Sequence, residues 1–226
     1  MPYTLQLQQQ AAHRILTARE LHHLQSLHLV HFAQVQVYFF QKQNILTKVI
    51  IYDHNCDHPE YAIELLNVPE VRKYVNGSAF HLYGGDISAM SQVNRAHPDK
   101  DLYFTEQWTG ARGDFASEFM WHMKNVMIGS VNNHAKAVIE WNLASDPTYG
   151  PHTPGGCTEC LGALTIGGQD ITRNQSYYIV MQAAKFIPPG SIRLGINAPM
   201  TIQAAAFKRP DGKIVLLIQN EGPKKT

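Results

Sequence analysis

Glu106 stands near the end of the short apolar run LYFTEQW (residues 102–108), with Gln107 and Trp108 directly after it. Three other apolar, β-branched or aromatic runs finish in the same mixture of groups: Asp53-His54-Asn55 after KVIIY, His81-Leu82-Tyr83 within GSAFHLYG, and Glu140-Trp141-Asn142 within AVIEWNL. A single polar residue at a strand end ordinarily caps or solvates the chain. Four ends that combine acid, amide, imidazole and aromatic rings point instead to a shared ligand. Pyranose rings offer flat C–H faces to Trp and Tyr, and their hydroxyls need the fixed donors and acceptors that Asn, Gln, His and carboxylates supply. Cleaving a glycoside takes two carboxyl groups, and a separation of about 5 to 5.5 Å implies a covalent intermediate with retention. Glu106 is the nucleophile candidate, with Thr105 and Gln107 placed to hold it ionised by hydrogen bonding.

The elements that must position these residues follow a β-α rhythm. Strands are predicted over residues 48–55, 77–84, 102–108 and 137–143, each too apolar for a half-exposed hairpin and typical of buried parallel strands. Helices are predicted between them. Residues 59–75 carry Ala62, Leu65, Leu66, Val71 and Val75, interrupted at Asn67 to Pro69, and residues 113–133 carry Phe115, Phe119, Met123, Val126 and Ile128 at helical spacing. A shorter helix fits residues 87–96, and another fits 176–186, stopped by Pro188-Pro189-Gly190. The repeat predicts a parallel sheet with right-handed crossovers. After Gly190 the class changes: SIRLGI, TIQAAAF and KIVLLIQN read as antiparallel strands, the last two joined by a Pro210-Asp211-Gly212 turn.

Composition narrows the ligand. A length of 226 residues with 44% hydrophobic and 16% charged residues suits a soluble globular chain, and a formal net charge of +1 shows neither a nucleic-acid footprint nor a patch for anionic membranes. No readable signal peptide and no run of membrane-spanning length are present, so no stable membrane insertion is expected. Asn76-Gly77-Ser78 and Asn174-Gln175-Ser176 match the glycosylation sequon, which matters only in a secreted protein. Three cysteines are too few for a disulfide framework and leave at least one thiol free. Cys157-Thr158-Glu159-Cys160 lies in a Gly-Pro-rich loop, where it reads as a loop-rigidifying pair or two free thiols rather than a zinc knuckle. Residues 1–36 are rich in Gln and His. His22-His23 and His28 with His31 lack a carboxylate or thiol beside them, so no metal and no cofactor is expected. Tyr38, Phe39 and Phe40 read as the buried end of a helix before the first predicted strand.

IIYDHNCDHPEYAIELL, GSAFHLYGG, LYFTEQWTGA and IEWNLASDPTYGPHTPGGCTECLGALTI, in that order, resemble glycoside hydrolase family 30, the glucosylceramidase-like enzymes. The resemblance runs from about Val37 to about Gln219. It implies an α/β fold, part of a (β/α)8 TIM barrel with part of a C-terminal β-sandwich, and hydrolysis of a β-linked or glucosylceramide-like glycoside with retention. On that basis the predicted strands are barrel strands five to eight, residues 37–190 are the C-terminal half of the barrel, and residues 191–226 are a partial sandwich. By the same resemblance Glu106 falls on the nucleophile position. Asp53, His81, Tyr83, Trp141 and Asn142 fall on motifs of the sugar site, with Trp108 beside the nucleophile.

The family's acid/base Glu sits at the end of strand four, in a segment this sequence does not show; a full barrel takes about 250 residues. Glu20, in Thr17-Ala18-Arg19-Glu20, fits a helix-capping box. Asn220-Glu221 imitates the missing motif but follows a strand of the sandwich. Alternation lets only one of Glu140 and Trp141 face the pocket. Asp53 is the best stand-in for the acid. A catalytically inactive fragment, or a sugar-binding remnant that needs a partner chain, is the alternative reading. Aglycone, compartment and oligomeric state are not legible.

Overall fold

The computed structural model describes residues 42–44 and 46–223. The N-terminal histidines, the capping pattern at Glu20, Tyr38 to Phe40 and Lys224-Lys225 lie outside the described residues. In chain order the elements are β1 (Ile50–Cys56), α1 (Pro59–Leu66), α2 (Pro69–Arg72), β2 (Gly77–Gly85), α3 (Ala89–Ala96), β3 (Asp101–Glu106), β4 (Thr109–Gly110) and α4 (Phe115–His122). A π-helical stretch (Met123–Ile128), α5 (Gly129–Asn132), β5 (Ala135–Val138), β6 (Ala144–Ser145), β7 (Cys160–Leu161), β8 (Leu164–Gly167) and β9 (Asp170–Arg173) follow. Then come α6 (Gln175–Ala184), β10 (Ile192–Leu194), β11 (Ile202–Lys208) and β12 (Ile214–Asn220).

Packing divides the chain into two units. In the smaller, whose described residues are 42–44, 46–49 and 64–76, the Val49 N–H donates to Asn76 Oδ1 at 3.0 Å and the Asn76 N–H returns a bond to Val49 O at 2.8 Å. Pro69 opens α2, splitting the single helix predicted over 59–75 because proline suits a helix's first turn and not its interior.

The larger unit, whose described residues are 50–63 and 77–223, holds the sheet that carries the site. Its order is β1-β2-β3-β5, with every neighbouring pair parallel. The first four residues of β2, Gly77 to Phe80, are all buried, whereas Tyr83 and Gly85 at its end are exposed. That gradient separates a close-packed base, with Phe80 and Phe104 fully buried, from a polar rim. The fourth strand, predicted over 137–143, is only Ala135–Val138. The wall continues irregularly beyond it, since Ile139 N–H donates to Phe104 O (2.9 Å) and Trp141 N–H to Gln107 O (2.7 Å).

The long helix predicted over 113–133 starts where Asp114 caps it, its Oδ2 accepting from Ser117 N–H at 2.8 Å. It is not uniformly α: the π-helical stretch widens it midway. Ile128 then packs with Ala205, Phe207 and Leu217, supported by Val131, Ala183 and Ile187. β10, β11 and β12 form an antiparallel sheet, and Gly212, at φ +82°, turns the chain between the last two as the Pro-Asp-Gly signal predicts. The short strands β6 to β9 were not anticipated. They lie in a stretch of turn-forming residues with no periodic apolar run to mark them.

Candidate active site

The rim residues are brought together by register. Asn55 of β1 pairs with His81 of β2, and His81 with Glu106 of β3. β1 reaches this alignment through a bulge. Tyr52 and Asp53 both have left-handed backbones, φ +75° and +52°, and the pairing with β2 skips from Tyr52 to His54. An extra residue in a strand re-aims its side chain. Here Asp53 Oδ1 accepts from Thr105 Oγ1 at 2.7 Å and lies 3.2 Å from His81 Nε2, crossing two strands. A left-handed non-glycine residue costs about 1 to 3 kcal/mol, so the surrounding contacts must hold this one in place.

His81 is a bridge. Its Nε2 faces Asp53, its Nδ1 lies 4.0 Å from Glu106 Oε1, and its ring meets Tyr83 edge-on with centroids 6.1 Å apart. The Tyr83 hydroxyl donates to Glu106 Oε1 at 3.1 Å. Burial holds the Tyr83 phenol above its usual range, and the charge of Glu106 pushes it further the same way. The phenol therefore stays a proton donor to the carboxylate throughout the neutral range. Tyr83 N–H in turn donates to Asn55 Oδ1 at 3.2 Å, fixing β2's end to β1's.

Two expectations about Glu106's neighbours fail. Thr105 donates to Asp53 rather than to Glu106, and the buried Gln107 makes no side-chain hydrogen bond to Glu106 in the described contacts. The donor that Glu106 does have is Tyr83, two residues past the imidazole that alternation would place beside it. Trp141 is exposed at the rim, whereas the adjacent Glu140 side chain is 4% exposed and accepts from His122 Nδ1 at 2.9 Å. Burial raises the Glu140 carboxyl despite the opposing pull of His122. The two neighbouring side chains thus part as expected, in the irregular stretch beyond β5, and the buried one is the Glu.

Asn142 does not join the cluster in its described contacts, whereas a backbone hydrogen bond of Trp108 reaches the Tyr83 phenol. Asn142 Oδ1 is buried without a partner among the described residues, and a Cβ on Gly162 would lie 2.8 Å from it. Trp108 also lines a cleft with Gln107, Glu118, Trp121 and His122. Glu221, the imitation of the acid/base motif, pairs with Lys124 at 2.9 Å and accepts from Gln203 at 2.9 Å, at the end of β12. Cys157 and Cys160 form a disulfide, which settles the open choice between a rigidifying pair and free thiols, and Cys56 is the free, buried thiol. The disulfide loop reaches back to the rim: β7 pairs with β4, and Ala111 N–H donates to Glu159 O at 2.9 Å. Sequence reasoning missed the His122–Glu140 pair. Among the described residues no group of three or more His, Cys, Asp or Glu is arranged to hold a metal ion.

The TIM-barrel domain of glycosyl hydrolase family 30 matches residues 41–187 and the family's beta sandwich domain matches residues 190–226. The endo-1,6-beta-D-glucanase neg1 of Aspergillus fumigatus is 35% identical over 184 residues, 77% of this chain and 36% of the relative. The lysosomal acid glucosylceramidase of Mus musculus is 26% identical over 182 residues, 72% of this chain and 34% of the relative. Among solved structures, the endo-beta1,6-glucanase BT3312 superposes with a TM-score of 0.75 at 31% identity, covering 80% of this chain and 43% of that one. The chain spans a little over a third of the length of the curated relatives it matches. With a parallel wall, a sandwich sheet and both family domains matched along it, this chain belongs to glycosyl hydrolase family 30.

Proposed function

We propose that the chain carries the nucleophile half of a retaining β-glycosidase site, with Glu106 as the nucleophile and Asp53, His81, Tyr83 and Trp141 holding the sugar. The observation that carries this reading is the Tyr83–Glu106 hydrogen bond at the convergence of three parallel strand ends. Tyr83 occupies Oε1, which leaves Oε2 to attack the anomeric carbon. The bond to the leaving oxygen breaks, its electron pair departs with the aglycone, and a glycosyl ester forms on Glu106. Water then attacks the same carbon, the ester bond breaks with its electron pair returning to Glu106, and the proton that the water gives up to solvent balances the one the departed alkoxide takes from it. Asp53, expected as a stand-in acid, is committed through Oδ1 to Thr105 and His81. It positions the rim as well as holding the sugar, and no proton donor for the leaving oxygen is assigned.

The relatives named as endo-1,6-β-glucanases and those named as glucosylceramidases share a β-glucoside. The higher identity of the former favours a β-1,6-linked glucan over a ceramide aglycone, narrowing the glucosylceramidase-type expectation. Residues 37–190 serve as the barrel part and 191–226 as the sandwich part of this assignment. The test uses a leaving group that needs no proton. Incubation with a dinitrophenyl fluoroglucoside should add one fluoroglucosyl mass to the peptide containing Glu106, and Glu106→Gln should abolish it. An unlabelled wild-type protein, or a label on another carboxylate, refutes the assignment.

A further inference from the structure

Asn76-Gly77-Ser78 and Asn174-Gln175-Ser176 share one pattern, and neither middle residue is proline, so the sequence treats them alike. The fold does not. Asn76 is exposed in the short loop between α2 and β2. Its amide is oriented by Val49, whose N–H donates to Oδ1 at 3.0 Å, and a backbone N–H can bond only to the oxygen of that amide. Nδ2 lies on the other branch, where it makes no hydrogen bond among the described residues. A saccharide on that nitrogen breaks no bond of the fold. Asn174 is the opposite case. It is only partly exposed, and its Nδ2 donates twice, to Gly162 O and to Thr165 Oγ1, each at 2.8 Å. Both N–H groups are spent in tying the start of α6 to β8 and the residue chain before it. A saccharide replaces one of those N–H groups, so a link is lost where the surroundings are already packed.

A second observation bears on the compartment. Cys157 and Cys160 are joined as a disulfide, and disulfides form and persist where the surroundings are oxidising, the endoplasmic reticulum lumen among them. N-linked saccharides belong to proteins that pass through that compartment, on surface loops. We propose that Asn76 is an N-glycosylation site and that Asn174, in spite of its sequon, stays bare in the folded protein. The donor is an oligosaccharide carried on a polyprenyl diphosphate. Asn76 Nδ2 bonds to the anomeric carbon and loses one proton, and the bond from that carbon to the diphosphate breaks with its electron pair leaving on the phosphate oxygen. Ser78 and Ser176 are 0% and 1% exposed, so their hydroxyls are reachable only before folding is complete. Transfer therefore precedes folding, and the folded population keeps the chains whose saccharide it can carry. Asn76 directly precedes β2, and His81 and Tyr83 come late in that strand, so the saccharide leaves the chain away from the rim residues. Neither sequon shares a residue with the Glu106 cluster, and this modification stands or falls apart from the proposed function.

The test produces the full chain, given a secretion leader, in yeast. The natively folded fraction is isolated and trimmed with endoglycosidase H, which leaves one N-acetylglucosamine on each occupied Asn. Peptide mass spectrometry should find that tag on the peptide containing Asn76 and not on the one containing Asn174. Ser78→Ala removes the first sequon together with a buried hydroxyl that has no partner among the described residues, so the variant should fold as before and lose the tag. Asn174→Ala deletes both donated bonds and should raise the unfolded-to-folded ratio, read by urea unfolding, by about fivefold to thirtyfold. Ser78→Ala should not. An untagged Asn76 in the folded protein overturns the site. A tag on Asn174 in the folded protein, or an Asn174→Ala chain as stable as wild type, overturns the exclusion of the second sequon.

Discussion

Replacing Glu106 with glutamine should make Tyr83 easier to ionise. At 3.1 Å, the hydroxyl-to-carboxylate distance, a unit charge contributes about 1.3 kcal/mol under water-like screening and about 5 kcal/mol at an effective dielectric of about 20. Tyr83 is 43% exposed, so solvent screening selects the lower end. That corresponds to a fall of about 1 pH unit in the phenol's midpoint. The Glu106→Gln change keeps the volume, and the amide oxygen still accepts the phenol's proton, so the difference isolates the charge. Burial remains, and the midpoint should stay above that of a free tyrosine. The assay is an alkaline titration of protein labelled at the tyrosine ring carbon bearing oxygen, with the Tyr83 signal identified by its loss in Tyr83→Phe and folding followed by circular dichroism. In the variant the signal should begin to move at a pH where the wild-type signal is still unshifted. Coincident curves, or a later midpoint in the variant, would show that the two groups are not coupled and would break the cluster on which the nucleophile assignment rests.

Glu140→Gln tests the buried His122–Glu140 pair. Burial raises the Glu140 carboxyl above its reference value of 4.5, so the stability it contributes is full below that pH and is lost as pH rises through the folded-state midpoint. The melting temperature of Glu140→Gln relative to wild type should therefore improve from about pH 4 to about pH 7; a flat or inverted difference contradicts the burial argument. Reducing the Cys157–Cys160 disulfide, whose partners are 3 residues apart, should loosen the strand pair beside the rim by about 2 kcal/mol. Hydrogen exchange at Gly110 and Ala111 should then accelerate by up to about thirtyfold, and unchanged exchange would show that the bond does not brace this loop.

The parallel wall was legible because its strands are continuous apolar runs, and the rim because each run ends in groups that a core would exclude. Gly212 announced its turn for a steric reason that survives in any context. Other features left no local trace. The bulge at Tyr52 and Asp53 carries no glycine or proline to mark it, and it alone explains why Thr105 serves Asp53 instead of Glu106. The π-helical stretch from Met123 to Ile128 has ordinary helix-compatible residues, and Ile128 at its end packs against Ala205, Phe207 and Leu217. Gln107 reads as a companion of Glu106 because it adjoins it in sequence; the pleat turns its side chain away. Long-range pairings, such as His122 with Glu140, depend on a helix meeting the segment beyond β5, which neither specifies alone.

The left-handed turn of Tyr52 and Asp53 also bears on any attempt to improve this scaffold by directed evolution. Glycine at position 53 would relieve about 1 to 2 kcal/mol of backbone strain, but it would erase the carboxylate that spans β2 and β3. Libraries sorted for heat tolerance alone will drift toward that glycine and yield sturdier chains with a blunted rim. Sorting on ligand capture and survival together is what keeps an aspartate in so uncomfortable a posture.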